Sequence, residues 1–445
     1  MRNAQTLEKT DPGYDDARAG FQLAVDREPD EIVVAGTADD VRAAVKSAAD
    51  RELPVGVEAT GHGRSVATDR GVQVATRELT GVSVDAASRT ARVLAGTRWR
   101  DVIDASHRHG LAPLSGTSPD VGAVGYTLGG GLPLVGRRYG YAADHVLGID
   151  VVTADGEPRH ASADSEPELF WALRGGRGNF GAVTAMEIAL FPLPRLYGGM
   201  LAFTGEHVHT AVHAYLEWTR DLPEEMSSSL GLIVLPDMQG VPEPLRGRFT
   251  AQVRIAYAGA ADAGERLVAP LRAAAPRALD TLTEIPYTES GSIHSEPPWP
   301  HGYCGTGVAL TGLDAGRADA VVRLAGPASP VPCIVQVRHL GGALARPPAV
   351  ANCVGNRGAA YMLSVLSPLF DVTADAARTR HEQVVTELSS SVTGRFVNYL
   401  YGDTATPEQI RAGYEPDDYR LLTELKFRYD PQNIFRLDHP IPPAK

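Results

Sequence analysis

Glu58-Ala-Thr-Gly-His-Gly-Arg-Ser65 decides how the rest of the chain is read. It follows Leu53-Pro-Val-Gly-Val57, an apolar run with the length of a buried strand. A strand that ends in such a turn exposes backbone N–H groups to an anion, and its glycines let a bulky ligand come close. Two readings stand at this point. One is an ordinary turn with a solvated histidine; the other is a cradle for a phosphate-bearing ligand beside His62.

On the N-terminal side, Glu31-Ile-Val-Val-Ala35 reads as a strand. Thr37 then caps a helix with Asp40 three residues on, and Val41, Ala44, Val45 and Ala48 recur at helical spacing. The result is β-α-β ahead of the turn. A Rossmann fingerprint would need a third glycine and an immediate helix, whereas Ser65-Val-Ala-Thr-Asp-Arg-Gly71 is turn-like, so that reading fails.

On the C-terminal side come short strands at 72–75, 82–84 and 91–95, then a helix carrying Trp99, Val102 and Ile103. The second glycine-rich stretch follows, Gly116-Thr-Ser-Pro-Asp-Val-Gly-Ala-Val-Gly-Tyr-Thr-Leu-Gly-Gly-Gly131. Its glycine content is too high for a helix or strand interior, so its backbone must press against a ligand or another segment. Further on, 149–156 is a strand entering an Asp-Gly turn, 167–174 a short helix, and 177–181 a glycine turn before a strand at 183–191. Beyond about residue 197 the pattern changes. Strands are expected at 230–235, 249–257, 332–339 and 359–366, and helices at 207–219, 314–324 and 373–391, which reads as one sheet covered by helices. The last fifty residues read as aromatic and turn-rich.

The chain of 445 residues is about three domain lengths, with ordinary globular composition. Its net charge of −12 argues against nucleic acid or an anionic membrane as partner, which leaves small molecules. With no apolar run of about 18 residues and no signal-peptide core, a soluble cytoplasmic protein is expected. Cys304, Cys333 and Cys353 are scattered and odd in number, so they are read as buried side chains; no metal site is expected.

The assembled motifs resemble the berberine-bridge-enzyme-like flavin-dependent oxidases, which carry the vanillyl-alcohol-oxidase (PCMH) type of FAD-binding domain. The resemblance spans nearly the whole chain. It rests on Thr60-Gly-His-Gly63, on Gly116-x-Ser-x-x-Val-Gly122 through Leu128-Gly-Gly-Gly131, on Arg138-Tyr-Gly140 with Asp144, and on Asp150-Val-Val-Thr-Ala-Asp-Gly156. Leu169-Phe-Trp-Ala-Leu-Arg-Gly-Gly176, Gly178-Asn-Phe-Gly-Ala-Val-Thr184, Asn398-Tyr399 and Tyr419-Arg-Leu421 with Lys426 and Tyr429-Asp-Pro-x-Asn433 continue it. It implies an α+β fold: a two-part FAD domain of residues 1–197 completed by 394–445, and a substrate domain of 198–393 with a mostly antiparallel sheet under helices.

The same resemblance implies that His62 is the histidine bonded to the flavin. Thr60, Gly61, Gly63, Arg64, Ser65, Val121, Gly122, Gly125, Tyr126, Gly129, Gly130 and Gly131 would cradle the cofactor, with Asn179, Gly181 and Val183 supporting it further along. Many relatives have a cysteine, forming a second flavin bond, where this chain has Ser118, so one covalent link is expected, at His62. Dioxygen and a small organic molecule, an alcohol, a sugar or a biosynthetic intermediate, would be the reactants, with hydride passing to flavin N5 and hydrogen peroxide released. An oxidative cyclase, or a flavoprotein without net redox chemistry, is the alternative. Where the family pattern has its first C-terminal tyrosine, this chain has Phe396. Base and positioning candidates are therefore Tyr399, Asn398, Tyr361 and one of Arg338 and His339, which point to opposite faces of a strand.

Overall fold

Three sheets carry the chain in a computed structural model that describes residues 4–403 and 405–444; the outer limits expected for the first and last segments, residues 1 and 445, lie outside it. The first sheet runs Gln5–Glu8, Glu31–Val34, Val72–Ala75, Val55–Glu58, the last three parallel. Thr37 caps the helix Ala38–Asp50 as its sequence demands, with Oγ1 accepting from the Asp40 N–H and the Asp40 carboxylate accepting from the Thr37 N–H at 2.9 Å. Val41, Ala44, Val45 and Ala48 are buried against the sheet, and each buried valine is worth about 1.5–3 kcal/mol. Ile434 and Phe435 finish this core from the far end of the chain.

The second sheet is antiparallel, in the order Val82–Asp85, Thr90–Leu94, Ala182–Ala189, Val146–Val152, Pro158–Ser162. Above it the glycine-rich stretch corrects one expectation: Ala123–Leu128 is a helix. Gly122 and Gly129 stand at its caps, so only Gly125 is interior, and one glycine costs a helix about 1 kcal/mol.

The third sheet holds nine antiparallel strands among the described residues. Its central order is Arg195–Thr204, Phe249–Tyr257, Met226–Val234, Ile334–His339, Tyr361–Pro368, Tyr303–Leu310, Val392–Arg395. Helices His207–Trp218, Ala261–Ala274, Ala315–Ala325 and Ala374–Glu387 cover one face through Val208, Val212, Val268, Val321 and Val384. The other face looks toward the two glycine stretches. Two elements in this half escape a pattern reading. Tyr303–Leu310 carries Gly305 and Gly307, which weaken a strand pattern; a Cβ at Gly307 would lie 2.5 Å from that of Tyr399, so the glycine admits the tyrosine over the sheet. Pro416–Tyr429, in the tail expected to be turn-rich, is a helix with Leu422, Leu425 and Lys426 buried. No helix among the described residues is long and apolar enough to cross a membrane.

Candidate functional site

The turn after Val55–Glu58 is braced from below. Gly61 takes φ +74°, and a Cβ there would lie 2.7 Å from Gly20 Cα, so only glycine fits. Glu58 receives both Nε and Nη2 of Arg64, at 2.5 and 2.7 Å, and lies 3.6 Å from Arg27. Ser65 Oγ donates to Asp438 and accepts from the His439 N–H, tying the turn to the C-terminal segment. The side chains of Arg64 and Ser65 are therefore spent on holding the turn. Its backbone is not: among the described residues, no protein acceptor meets the N–H groups of Gly61, His62, Gly63, Arg64 or Ser65. Successive free N–H groups of this kind form a nest for an anion.

His62 stacks on Phe21 with ring centroids 3.8 Å apart. Its Nδ1 lies 2.8 Å from Thr60 Oγ1, and its carbonyl accepts from the Tyr303 hydroxyl at 2.8 Å. Burial, helped by Arg98 and His301, pushes its pKa down to about 3. The imidazole is neutral across the physiological range and keeps a nucleophilic lone pair.

The second stretch meets the first where a Cβ on Gly122 would touch Ala59 and Thr60, at 3.4 and 3.6 Å. Much of its glycine serves protein contacts. Gly116 and Gly131 embrace the Tyr126 ring, Gly130 faces Val354, and a Cβ at Gly129 would collide with Asn398 Oδ1. Gly125 alone of this group faces open space. Asn398 takes a hydrogen bond from Arg177 Nη1 at 2.7 Å and donates to the Tyr126 carbonyl at 2.9 Å, so it pins the C-terminal segment to the loop. Ser118 Oγ accepts from the Asp120 N–H. The Tyr126 hydroxyl is buried with no partner among the described residues.

The open face of the large sheet forms the opposite wall, where Tyr303, Arg254 and Arg338 project. Arg338 Cζ stands 5.6 Å from the Tyr399 ring centroid. Burial raises the Tyr399 phenol's pKa, and Arg338 works against that rise. Glu296 enters from a loop with Oε1 accepting from Thr117 at 2.6 Å.

Tyr361 is not brought here. It shares the helix-covered face with Leu363 and Val365, and its hydroxyl pairs with Thr219 at 2.7 Å, because strand alternation turns it away from Met362. His339 lies beside it and bonds Arg137, leaving Arg338 as the member of that pair on the open face. Asn179 is fully buried and bonds the carbonyls of Gly176 and His439 and the Ile441 N–H, so its side chain is not offered to a ligand. Val183 is packed in the core, and a Cβ on Gly181 would strike Val151 and the Val152 carbonyl. Val121 packs on the same core.

Pattern reading missed Arg254, Glu296 and Tyr303. For Arg254 a signal existed: Thr250, Gln252 and Arg254 alternate with Ala251, Val253 and Ile255, a polar face on a strand with no reason to be wet.

Residues 29–162 match the family model described as an FAD binding domain. The sequence is 28% identical over 425 residues to (R)-6-hydroxynicotine oxidase of Paenarthrobacter nicotinovorans, covering 92% of this chain and 90% of that one. Among solved structures, 6-hydroxy-D-nicotine oxidase from Arthrobacter nicotinovorans superposes with a TM-score of 0.85 at 23% identity, covering 100% of this chain and 99% of that one. Glucooligosaccharide oxidase from Acremonium strictum, described with a 6-S-cysteinyl, 8α-N1-histidyl FAD, gives 0.82 at 20% identity, covering 99% and 97%.

Proposed function

We propose that the chain is a berberine-bridge-enzyme-like FAD-linked oxidoreductase, an oxidase of a small organic molecule with FAD tethered at His62 alone, a reading supported by the FAD binding domain match over residues 29–162 and by the similarity to 6-hydroxynicotine oxidase. The observation that carries this reading is His62 itself: a neutral, stacked imidazole on a turn of free N–H groups, whose carbonyl is held by Tyr303 of the large sheet. These residues fit the cofactor. The N–H groups of 61–65 suit a diphosphate, Gly125 leaves room beside the second loop, and the imidazole lone pair suits a covalent bond to carbon. FAD, when bound, supplies a hydride acceptor and a route for two electrons to dioxygen, with hydrogen peroxide as product.

The protein's share is orientation and proton handling. In its phenolate form, which the Arg338 guanidinium beside its ring favours against the effect of burial, Tyr399 Oη takes the proton from the substrate hydroxyl or amine and becomes the neutral phenol. Ser118 offers a hydroxyl already engaged with Asp120, which supports a single tether. The division into FAD-binding segments 1–197 and 394–445 around a substrate domain of 198–393 belongs to the same proposal. Ile434 and Phe435 in the first sheet's core, and the separate core of the large sheet, support it. The test is anaerobic: alcohols, sugars and related metabolites are screened for bleaching of the yellow protein, then for peroxide release in air. One bleaching substrate with stoichiometric peroxide is the expected result; bleaching without peroxide would overturn the oxidase reading.

A further inference from the structure

Three neighbouring strands bring two arginines and a serine into one row. Ser229 is in register with Arg254 on one side and Arg338 on the other, and directly opposed side chains in a sheet stand about 5 Å apart. All three are buried, at 7%, 4% and 8% exposure for Arg254, Ser229 and Arg338. Arg254 gives an N–H to Gln252 Oε1, and Arg338 gives one to Gln336 Oε1. Arg254 Nε and Nη1, Arg338 Nε, Ser229 Oγ and His294 Nδ1 remain buried without partners among the described residues. No described carboxylate lies within the 4.0 Å of an ion pair from either guanidinium.

An uncompensated buried charge costs several kcal/mol, so such a pair is expected to meet a counter-charge. Burial pushes the Arg254 pKa down to about 10, with Arg338 adding to the fall, yet both side chains stay cationic at neutral pH. Gly231 makes room for the group, since a Cβ there would lie 2.4 Å from Arg254 Nη1. The unpartnered atoms line a cavity of about 30 Å³ whose wall also includes Leu132, Leu134 and Leu344, which is room for about two water-sized groups. Glu296, held by Thr117, is the acidic group that offsets the two arginines, which leaves one positive charge over.

We propose that the Arg254–Ser229–Arg338 row is a subsite for a carboxylate, and that the substrate is an organic monocarboxylate anchored there. The inference rests on the oxidase reading and narrows it. Two guanidinium forks and a hydroxyl match the paired oxygens of a carboxylate, whereas a neutral alcohol or sugar would leave the buried donors unpaired and be rejected on that account.

The flavin-loaded protein is titrated with benzoate and acetate, with benzamide and acetamide as neutral counterparts, while the flavin spectrum and Tm are followed. The carboxylates alone should give a saturable response, and Arg254→Met and Arg338→Met should each weaken benzoate binding at least tenfold. Ser229→Asp, which places a carboxylate between the arginines, should raise Tm and abolish the benzoate response. Equal response to benzoate and benzamide, unchanged benzoate affinity in both methionine variants, or an undiminished response in Ser229→Asp would overturn the subsite. In a yellow protein each of those results leaves the oxidase reading standing. A protein that carries no flavin but whose Tm still rises with benzoate would overturn the oxidase reading and uphold the anion site.

Discussion

In the proposed oxidase, His62 and Tyr399 divide the chemistry between tether and proton transfer. Replacing His62 with alanine removes the stacked imidazole and its lone pair, so His62→Ala is expected to fold yet release its flavin on acid denaturation, measured as flavin in the supernatant. Tyr399→Phe leaves the ring packed against Gly307 and the Arg338 cation while deleting only the hydroxyl. Flavin reduction in that variant should slow by about 10²–10⁴-fold with flavin content unchanged, as anaerobic stopped-flow traces would record; an unchanged reduction rate would remove Tyr399 from the reaction. His62 was conspicuous in the sequence because two glycines bracket it. Arg254 and Glu296 were not, because nothing local marks the strand face that will be buried or the loop that will meet Thr117, 179 residues away.

At the scale of elements, the two glycine stretches and the C-terminal segment act as one clamp. Gly129→Ala would force a Cβ into Asn398 Oδ1 and so push the C-terminal segment off the loop. Reduced flavin loading and a lower Tm are expected, while Gly125→Ala, in open space, should retain its fold. Farther out, Lys426 Nζ bonds Asp430 and the carbonyls of Asn179 and Phe435 inside the protein, all at 2.7 Å. Lys426→Met would strand the Asp430 carboxylate and cost about 3–5 kcal/mol, readable in urea denaturation. The strands at 249–257 and 334–339 and the helix capped by Thr37 were legible because alternation and capping are local. The strand Tyr303–Leu310 was not: its glycines answer to Tyr399 and Tyr401, a tertiary demand that a period-two pattern cannot carry. Likewise Tyr361 was a candidate because it lies on a strand of the correct sheet, but its face is fixed by which neighbours the helices cover.

For the molecule as a whole, several buried histidines set the acid limit. Burial lowers the pKa of His62 to about 3, of His339 to about 3 and of His381 to about 4. Between those values and the ordinary histidine range the unfolded chain binds more protons than the folded one, so stability falls as pH drops from about 6.5 toward 4. Each histidine contributes a slope of up to about 1.4 kcal/mol per pH unit. Tm measured across that window should fall steadily, and the fall should be shallower in His381→Gln, which removes a titrating group whose hydrogen-bond partner is the Ser367 hydroxyl. The central claim, that one histidine alone holds the cofactor to this fold, is tested most directly by mass spectrometry of proteolytic peptides from denatured protein. A single FAD-bearing peptide containing His62, with the Ser118 peptide unmodified, is the predicted result; flavin on the Ser118 peptide, or on none, would contradict it.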